Sequence, residues 1–214
     1  MIINPRGTGG SGKTELVRQV LFAYGWRDDP AARGARPIDP IRRAGRSRPL
    51  GYRLEHPAGG RSLAVLGHYE VTSGGCDTIR KSDGGLDEIM GLADQHVKAG
   101  YAVILEGLRL SSEIERTTDL ARRHPLHILR LTTPPEHCIR NLARRRRVGQ
   151  RAVAGIAQTV RDDHERIERA CVALSSDAHV EHVDFEEALA RSRELLGLCD
   201  VPAAASGGAA VQST

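Results

Sequence analysis

Eight residues, Gly7-Thr8-Gly9-Gly10-Ser11-Gly12-Lys13-Thr14, restrict what this chain can fold into more than any other feature. A short apolar run, Met1 to Pro5, leads into them, and Leu16, Val17, Val20 and Leu21 follow at helical spacing within Lys13 to Tyr24. The order is strand, glycine loop, helix, the setting in which the pattern GxxxxGK followed by Ser or Thr binds a polyphosphate. Glycines allow backbone angles and close approaches that a side chain blocks, so successive amides turn inward toward phosphate oxygens. The dipole of the following helix favours the same negative charge. The expectation is that Gly7, Thr8, Gly9, Gly10, Ser11, Gly12, Lys13 and Thr14 hold the triphosphate of ATP. Lys13 would reach its β and γ phosphates, and Thr14 would give its hydroxyl to magnesium.

Beyond the loop, strands and helices alternate. Arg27 to Pro49 is rich in Pro, Gly and Arg, lacks a sustained apolar period and reads as a long loop or insertion. Strands are expected at Leu50 to Glu55 and Ser62 to Glu70, with a second glycine loop at Ser73 to Asp77. Leu86 to Lys98 has helical spacing and stops at Gly100, and Tyr101 to Leu105 is a continuous apolar strand of the kind parallel sheets bury on both faces. Helices at Ser111 to Arg123, Pro134 to Arg147, Ile156 to Leu174 and Phe185 to Leu196 are interleaved with strands at Leu126 to Leu131 and His179 to Val183. This alternation predicts an α/β fold, a P-loop kinase three-layer sandwich with a central, mainly parallel sheet and a helical arginine-rich lid. Residues 1–197 are expected to form one domain with the lid over 134–152, and 198–214 a disordered Ala, Gly and Ser tail.

Hydrophobic residues at 40% and charged residues at 27% give the balance of a soluble globular protein, and 3% aromatic content leaves the core to aliphatic side chains. No run of about 18 apolar residues is present, and the first motif begins within a few residues of Met1, which argues against a membrane span or a cleavable signal. A cytoplasmic location is expected. Cys76, Cys138, Cys171 and Cys199 lack the close pairs of a zinc or redox motif and read as reduced thiols. The net charge of +4 is modest but uneven, because arginines gather in two clusters.

Glu106 ends the strand Ala102-Val103-Ile104-Leu105, where P-loop proteins place the acid that orients magnesium directly or through water; capping of the next segment is the plainer role. Arg140, Arg144, Arg145, Arg146 and Arg147 lie on one predicted helix, and 140, 144 and 147 share a face. As a lid, Arg144 and Arg147 would close over the transferring phosphoryl group; a solvated face or a nucleic-acid patch is the alternative. On the acceptor side, Glu70 and Asp77 are both candidates for the general base, and Asp77 is also a candidate loop anchor. His68 and Tyr69 either contact an acceptor base or belong to the core.

The words Ile3-Asn4-Pro5-Arg6 before the loop, Gly67-His68-Tyr69-Glu70, and Gly74-Gly75-Cys76-Asp77-Thr78 resemble those of bacteriophage 5-hydroxymethyluracil DNA kinases, of the thymidylate-kinase-like group. The resemblance spans Met1 to Leu196 in layout. It implies ATP- and magnesium-dependent phosphorylation of the hydroxymethyl group of 5-hydroxymethyldeoxyuridine in DNA, in the host cytoplasm, as a step in thymidine hypermodification. It also implies that His68, Tyr69, Glu70, Gly74, Gly75 and Asp77 face the acceptor. The first basic cluster, Arg33, Arg36, Arg42, Arg43, Arg46 and Arg48, then becomes a candidate for DNA phosphates, as against a solvated loop. A kinase of a free nucleoside, nucleotide or small alcohol would use the same loop, and an ATP-switched DNA-binding module is the rival from another class. Oligomeric state stays open.

Overall fold

The computed structural model describes residues 1–26, 38–70 and 74–198. In them the strands β1 (Ile2–Arg6), β2 (Ile38–Ile41), β3 (Gly51–Leu54), β4 (Leu63–Leu66), β5 (Ala102–Leu105), β6 (Leu126–Leu131) and β7 (His179–Val183) form one sheet. Its order is β2-β3-β4-β5-β1-β6-β7. From β4 to β7 every neighbouring pair is parallel, whereas β2 and β3 add an antiparallel extension at one edge. β1 is central, with Ile3 opposite Ile104 of β5 and His127 of β6, so the glycine loop leaves the middle of the sheet at its carboxyl edge.

Strand alternation sends side chains to two cores. Ile2, Val103, Leu105 and Ile128 face one side, where α2 (Gly85–Lys98), α4 (Glu115–Ala121) and the second half of α6 (Gln150–Leu174) cover them. Ile3, Ala102, Ile104 and Leu129 face the other, under α1 (Lys13–Ala23) and α7 (Phe185–Leu195). Helices on both faces of a mostly parallel sheet make the expected α/β sandwich. The first half of α6 leaves the sheet, and its Ile156 and Val160 pack on Cys138 and Leu142 of α5 (Pro135–Arg146) in a small third core.

Besides α6, which starts at Gln150 rather than Ile156, three segments depart from the sequence reading. Residues 38–41, expected in a loop, form the edge strand β2, held by pairing to β3 and by the Asp39–Arg53 ion pair at 2.9 Å. Pro40 is tolerated there because an edge strand has one unpaired side. The strand expected through Glu70 stops at Leu66, since Gly67 turns the chain at φ 100°. The helix expected over 111–123 is broken into α3 (Leu108–Ser111) and α4. At the break, the buried Arg6 donates from Nη1 to the carbonyls of Ser111 and Glu113, at 3.2 and 2.9 Å. The Glu113 carboxylate accepts the amides of Arg116 and Thr117, both at 2.8 Å, and so starts α4. The tail expected over 198–214 lies outside the described residues except for Leu198, which is buried in the second core.

Gly67 lies against the second glycine loop. A Cβ there would stand 2.2 Å from the carbonyl carbon of Gly75, in a backbone region that L side chains rarely adopt. Gly67→Ala should therefore cost roughly 2–4 kcal/mol through combined backbone strain and overpacking, read as a lower denaturant midpoint.

Candidate active site

The loop from Gly7 to Thr14 joins β1 to α1, with Gly12 at φ 100° as the helix N-cap and Lys13 as the first helical residue. Its carbonyls are drawn aside one by one. Lys13 Nζ donates to the Gly7 and Thr8 carbonyls at 2.7 and 2.9 Å, Asn141 Nδ2 to that of Gly10 at 2.9 Å, and Thr133 Oγ1 to that of Ser11 at 2.9 Å. With carbonyls engaged this way, the amides at the start of α1 are left for an anion. Ser11 Oγ is buried without a hydrogen-bond partner, an orphan polar atom in the same cradle. Gly10 is needed for close packing, since a Cβ there would lie 2.6 Å from the Cys138 carbonyl of α5.

Glu106, 1% exposed at the end of β5, accepts a hydrogen bond at 3.0 Å from Thr14 Oγ1. Burial pushes its carboxyl up to about 7, opposed by Lys13 and Thr14 and reinforced by Asp77. Burial likewise pulls the Lys13 ammonium below its ordinary value, partly offset by Glu106 and Asp77. Among the described residues no ion pair joins the two: Lys13 bonds carbonyls and Glu106 bonds a hydroxyl. Both charges are thus held out of water without a mutual contact, a state that an incoming polyphosphate and cation would relieve.

A cavity of roughly 440 Å³ opens beside these groups. Gly9 to Thr14 form one wall, and Gly74, Asp77 and Glu106 face it from β4 and β5, so the structure brings these expected residues together. Gly7 and Thr8 stand behind the wall, as acceptors for Lys13. Gly75 does not line the cavity; its backbone presses on Glu106, where a Cβ would come within 2.3 Å of Oε1. Asp77 accepts the amides of Leu108 and Arg109 at 2.5 and 3.3 Å and pairs with Arg109 Nε at 3.2 Å, the anchoring role at the start of α3. It also borders the cavity.

Other expected acceptor residues stand apart. Tyr69 is fully buried in the second core, and His68 is buried with Nδ1 3.0 Å from Tyr52 Oη; neither borders the cavity. The His68 imidazole is held below its usual range by burial, and Arg48 and Arg46 add to this against Glu70. Glu70 is exposed outside the cavity. The reason is the turn at Gly67, which rotates this segment off the strand end so that Gly74, not residues 68–70, faces the loop.

On α5, Arg145 and Arg146 border the cavity, and Arg144 and Arg147 do not. The packing of Cys138 and Leu142 on the glycine loop sets the helix phase, and positions 145 and 146 continue that face at the i+7 and i+8 spacing. The first basic cluster is divided. Arg43 pairs with Glu88 at 2.7 Å, and Arg46 donates to the Thr78 carbonyl at 2.7 Å, so both clamp the second glycine loop and its helix. Arg42 and Arg48 are exposed, and Arg33 and Arg36 lie outside the described residues.

Sequence reasoning missed Arg18 and Asp163, which also line the cavity. Arg18 is one helical turn past Thr14, so that spacing was a usable signal. Asp163, 6% exposed, occupies a core-facing position in the row Ile156, Val160, Asp163, Ile167. A carboxylate at such a position marks a polar site, and its partner Arg166 lies one turn on. Among the described residues Cys76, Cys138 and Cys171 are free and buried, and no helix is long and apolar enough to cross a membrane.

No protein-family model matches the chain. A protein named 5-hmdU DNA kinase, from Pseudomonas phage PaMx11, is 36% identical over 146 residues, which cover 68% of this chain and 69% of that relative. With a relative of that identity and extent, and a glycine loop, lysine and buried glutamate assembled on an α/β sheet, this chain is a phosphotransferase that belongs to the 5-hmdU DNA kinase family.

Proposed function

We propose that the protein transfers the γ-phosphoryl group of ATP to the hydroxymethyl oxygen of 5-hydroxymethyldeoxyuridine within DNA. The observation that carries the reading is the Lys13, Thr14 and Glu106 constellation at one end of the cavity, in a chain whose relative is named for that acceptor. The bond from the γ phosphorus to its bridging oxygen breaks, a bond to the hydroxymethyl oxygen forms, and the hydroxyl proton departs, leaving ADP and 5-phosphomethyldeoxyuridine. The transition state is loose, so positioning and charge matter more than covalent help from the protein.

Lys13 swings from the Gly7 and Thr8 carbonyls to the β and γ phosphates, and Arg145 and Arg146 meet the phosphates from the lid formed by α5 and the start of α6. Thr14 Oγ1 and Glu106 Oε1 are hard oxygen donors 3.0 Å apart, a set that fits magnesium. Among the described residues no group of three or more His, Cys, Asp or Glu is placed to hold a metal ion, and two donors suit an ion that takes its other ligands from phosphate and water. Magnesium, when bound, neutralises charge on the phosphate oxygens. Asp77, the carboxylate bordering the cavity beside Gly74, orients the acceptor hydroxyl. On this reading the enzyme works in the host cytoplasm, and its phosphorylated base serves later steps of thymidine hypermodification.

The test offers γ-labelled ATP and magnesium with 5-hydroxymethyluracil DNA, matched thymine DNA, and the free modified nucleoside and nucleotide. Label should pass to modified DNA alone. Transfer confined to the free nucleoside or nucleotide would overturn the DNA acceptor, and ATP turnover without a labelled product would favour the switched binding module.

A further inference from the structure

Arg140, Arg144, Arg145, Arg146 and Arg147 are all exposed, and none makes an ion pair or side-chain hydrogen bond among the described residues. By contrast the exposed Arg122 pairs with Asp177, and the half-buried Arg43, Arg116 and Arg191 pair with Glu88, Asp87 and Glu181. A helix that only needed solubility would mix signs along its face, yet the one acidic residue of α5 is Glu136 in its first turn.

The five divide by phase. At about 100° per residue, positions 140 and 144 point roughly opposite to 138, 142, 145 and 146, which pack on the glycine loop or border the cavity, and Arg147 follows as the left-handed residue that closes the helix. Arg140 and Arg144 thus lie on the side of α5 turned away from the cavity, and with Arg147 at the end of the helix they extend over some 10 Å.

Arg147 adds an independent sign. The Val148 amide donates to the Ala143 carbonyl and the Arg147 amide to the Arg144 carbonyl, both at 3.3 Å, so Arg147 holds the position that closes a helix in a left-handed conformation. Glycine is the usual residue there. Arg147 adopts φ 51°, and among the described residues no other non-glycine residue has positive φ. A charge is kept at a position where backbone stability favours glycine.

Resting on the proposed DNA acceptor, we propose that the Arg140, Arg144 and Arg147 face of α5 is the track for the DNA sugar-phosphate backbone flanking the nucleotide in the cavity. The ligand chemistry is a row of phosphodiesters, spaced at about 3.4 Å of rise per strand, which a 10 Å row of guanidiniums neutralises at two or three points.

The test measures binding of a fluorescent duplex of about 20 base pairs carrying 5-hydroxymethyluracil as salt is raised. It compares wild type, the triple variant Arg140→Gln, Arg144→Gln, Arg147→Gln, and the single variant Arg147→Gly. The triple variant should lower the slope of log K against log salt by about two to three and raise KM for the duplex about 10-fold or more, with KM for ATP unmoved. Arg147→Gly should raise the melting temperature and lower the slope by about one, opposite signs that misfolding cannot produce. An unchanged slope in the triple variant overturns the track, and so does a rise in KM for ATP matching that for DNA, which would put the row at the nucleotide. A wild type that labels free nucleotide but not modified DNA sinks the acceptor reading instead, and the salt slopes still decide the track.

Discussion

Lys13→Ala should lower phosphoryl transfer by about 10³-fold, the scale of losing a preorganised charge at the reacting group, while the protein stays folded. The Lys13 ammonium is 7% exposed and, without nucleotide, spends its donors on the Gly7 and Thr8 carbonyls. Those bonds stabilise the loop, but the burial that pulls the ammonium below its ordinary value works against them. The two effects oppose, so the melting temperature should move only a few degrees. Lys13→Arg separates charge from fit: a planar, forked guanidinium cannot reproduce a compact ammonium held between the Gly7 and Thr8 carbonyls, and it should restore little activity. Steady-state turnover and a thermal melt on the same preparations check both halves. Turnover within about 10-fold of wild type would remove Lys13 from the reaction.

Glu106→Gln should act on activity and stability in opposite directions. With its folded value raised from 4.5 to about 7, Glu106 binds its proton more tightly in the folded chain than in the unfolded one. The stability it contributes is complete below pH 4.5, falls as pH rises toward 7, and is lost above that. The whole swing is on the order of 3 kcal/mol. The nucleotide-free wild type should therefore melt at a lower temperature at pH 8 than other titrating groups alone would set. Gln keeps the acceptor for Thr14 and removes the charge, so the variant should be the more stable at pH 8 and lose that part of the pH dependence. Its activity should drop by about 10²-fold or more, because the carboxylate proposed to face magnesium is gone. Melting curves from pH 5 to 8 compare the two proteins; parallel curves would contradict the buried, strained charge.

The parts of the site that were legible in the sequence are those set by neighbouring residues. Gly7 to Thr14 lies between an apolar run and a helical period, and Glu106 ends an unbroken apolar strand, so both could be placed from local pattern. Strand β2 was hidden because Asp39 and Pro40 break alternation, and its stability comes from β3 and Arg53, which are distant in the chain. The break between α3 and α4 was hidden for the same reason: the side chain that binds the freed carbonyls belongs to Arg6, about a hundred residues upstream. On α5 the spacing of 140, 144 and 147 shows that they share a side, but not which side faces ATP. That choice is made by Cys138 and Leu142 against Gly9 and Gly10, contacts between segments that only the fold brings together. The Gly67 turn similarly removed residues 68–70 from the wall where strand continuation would have put them.

The proposed activity turns on which oxygen receives the phosphoryl group. A duplex containing 5-hydroxymethyluracil, with both 5′ ends blocked, would be treated with the enzyme, ATP and magnesium, digested by nuclease to nucleoside 5′-monophosphates without phosphatase, and resolved by mass spectrometry with fragmentation. One added phosphoryl group is expected on the base fragment, absent from thymine duplex and from Lys13→Ala. A second phosphoryl group on the deoxyribose fragment, or transfer seen only when the 5′ ends are free, would contradict it.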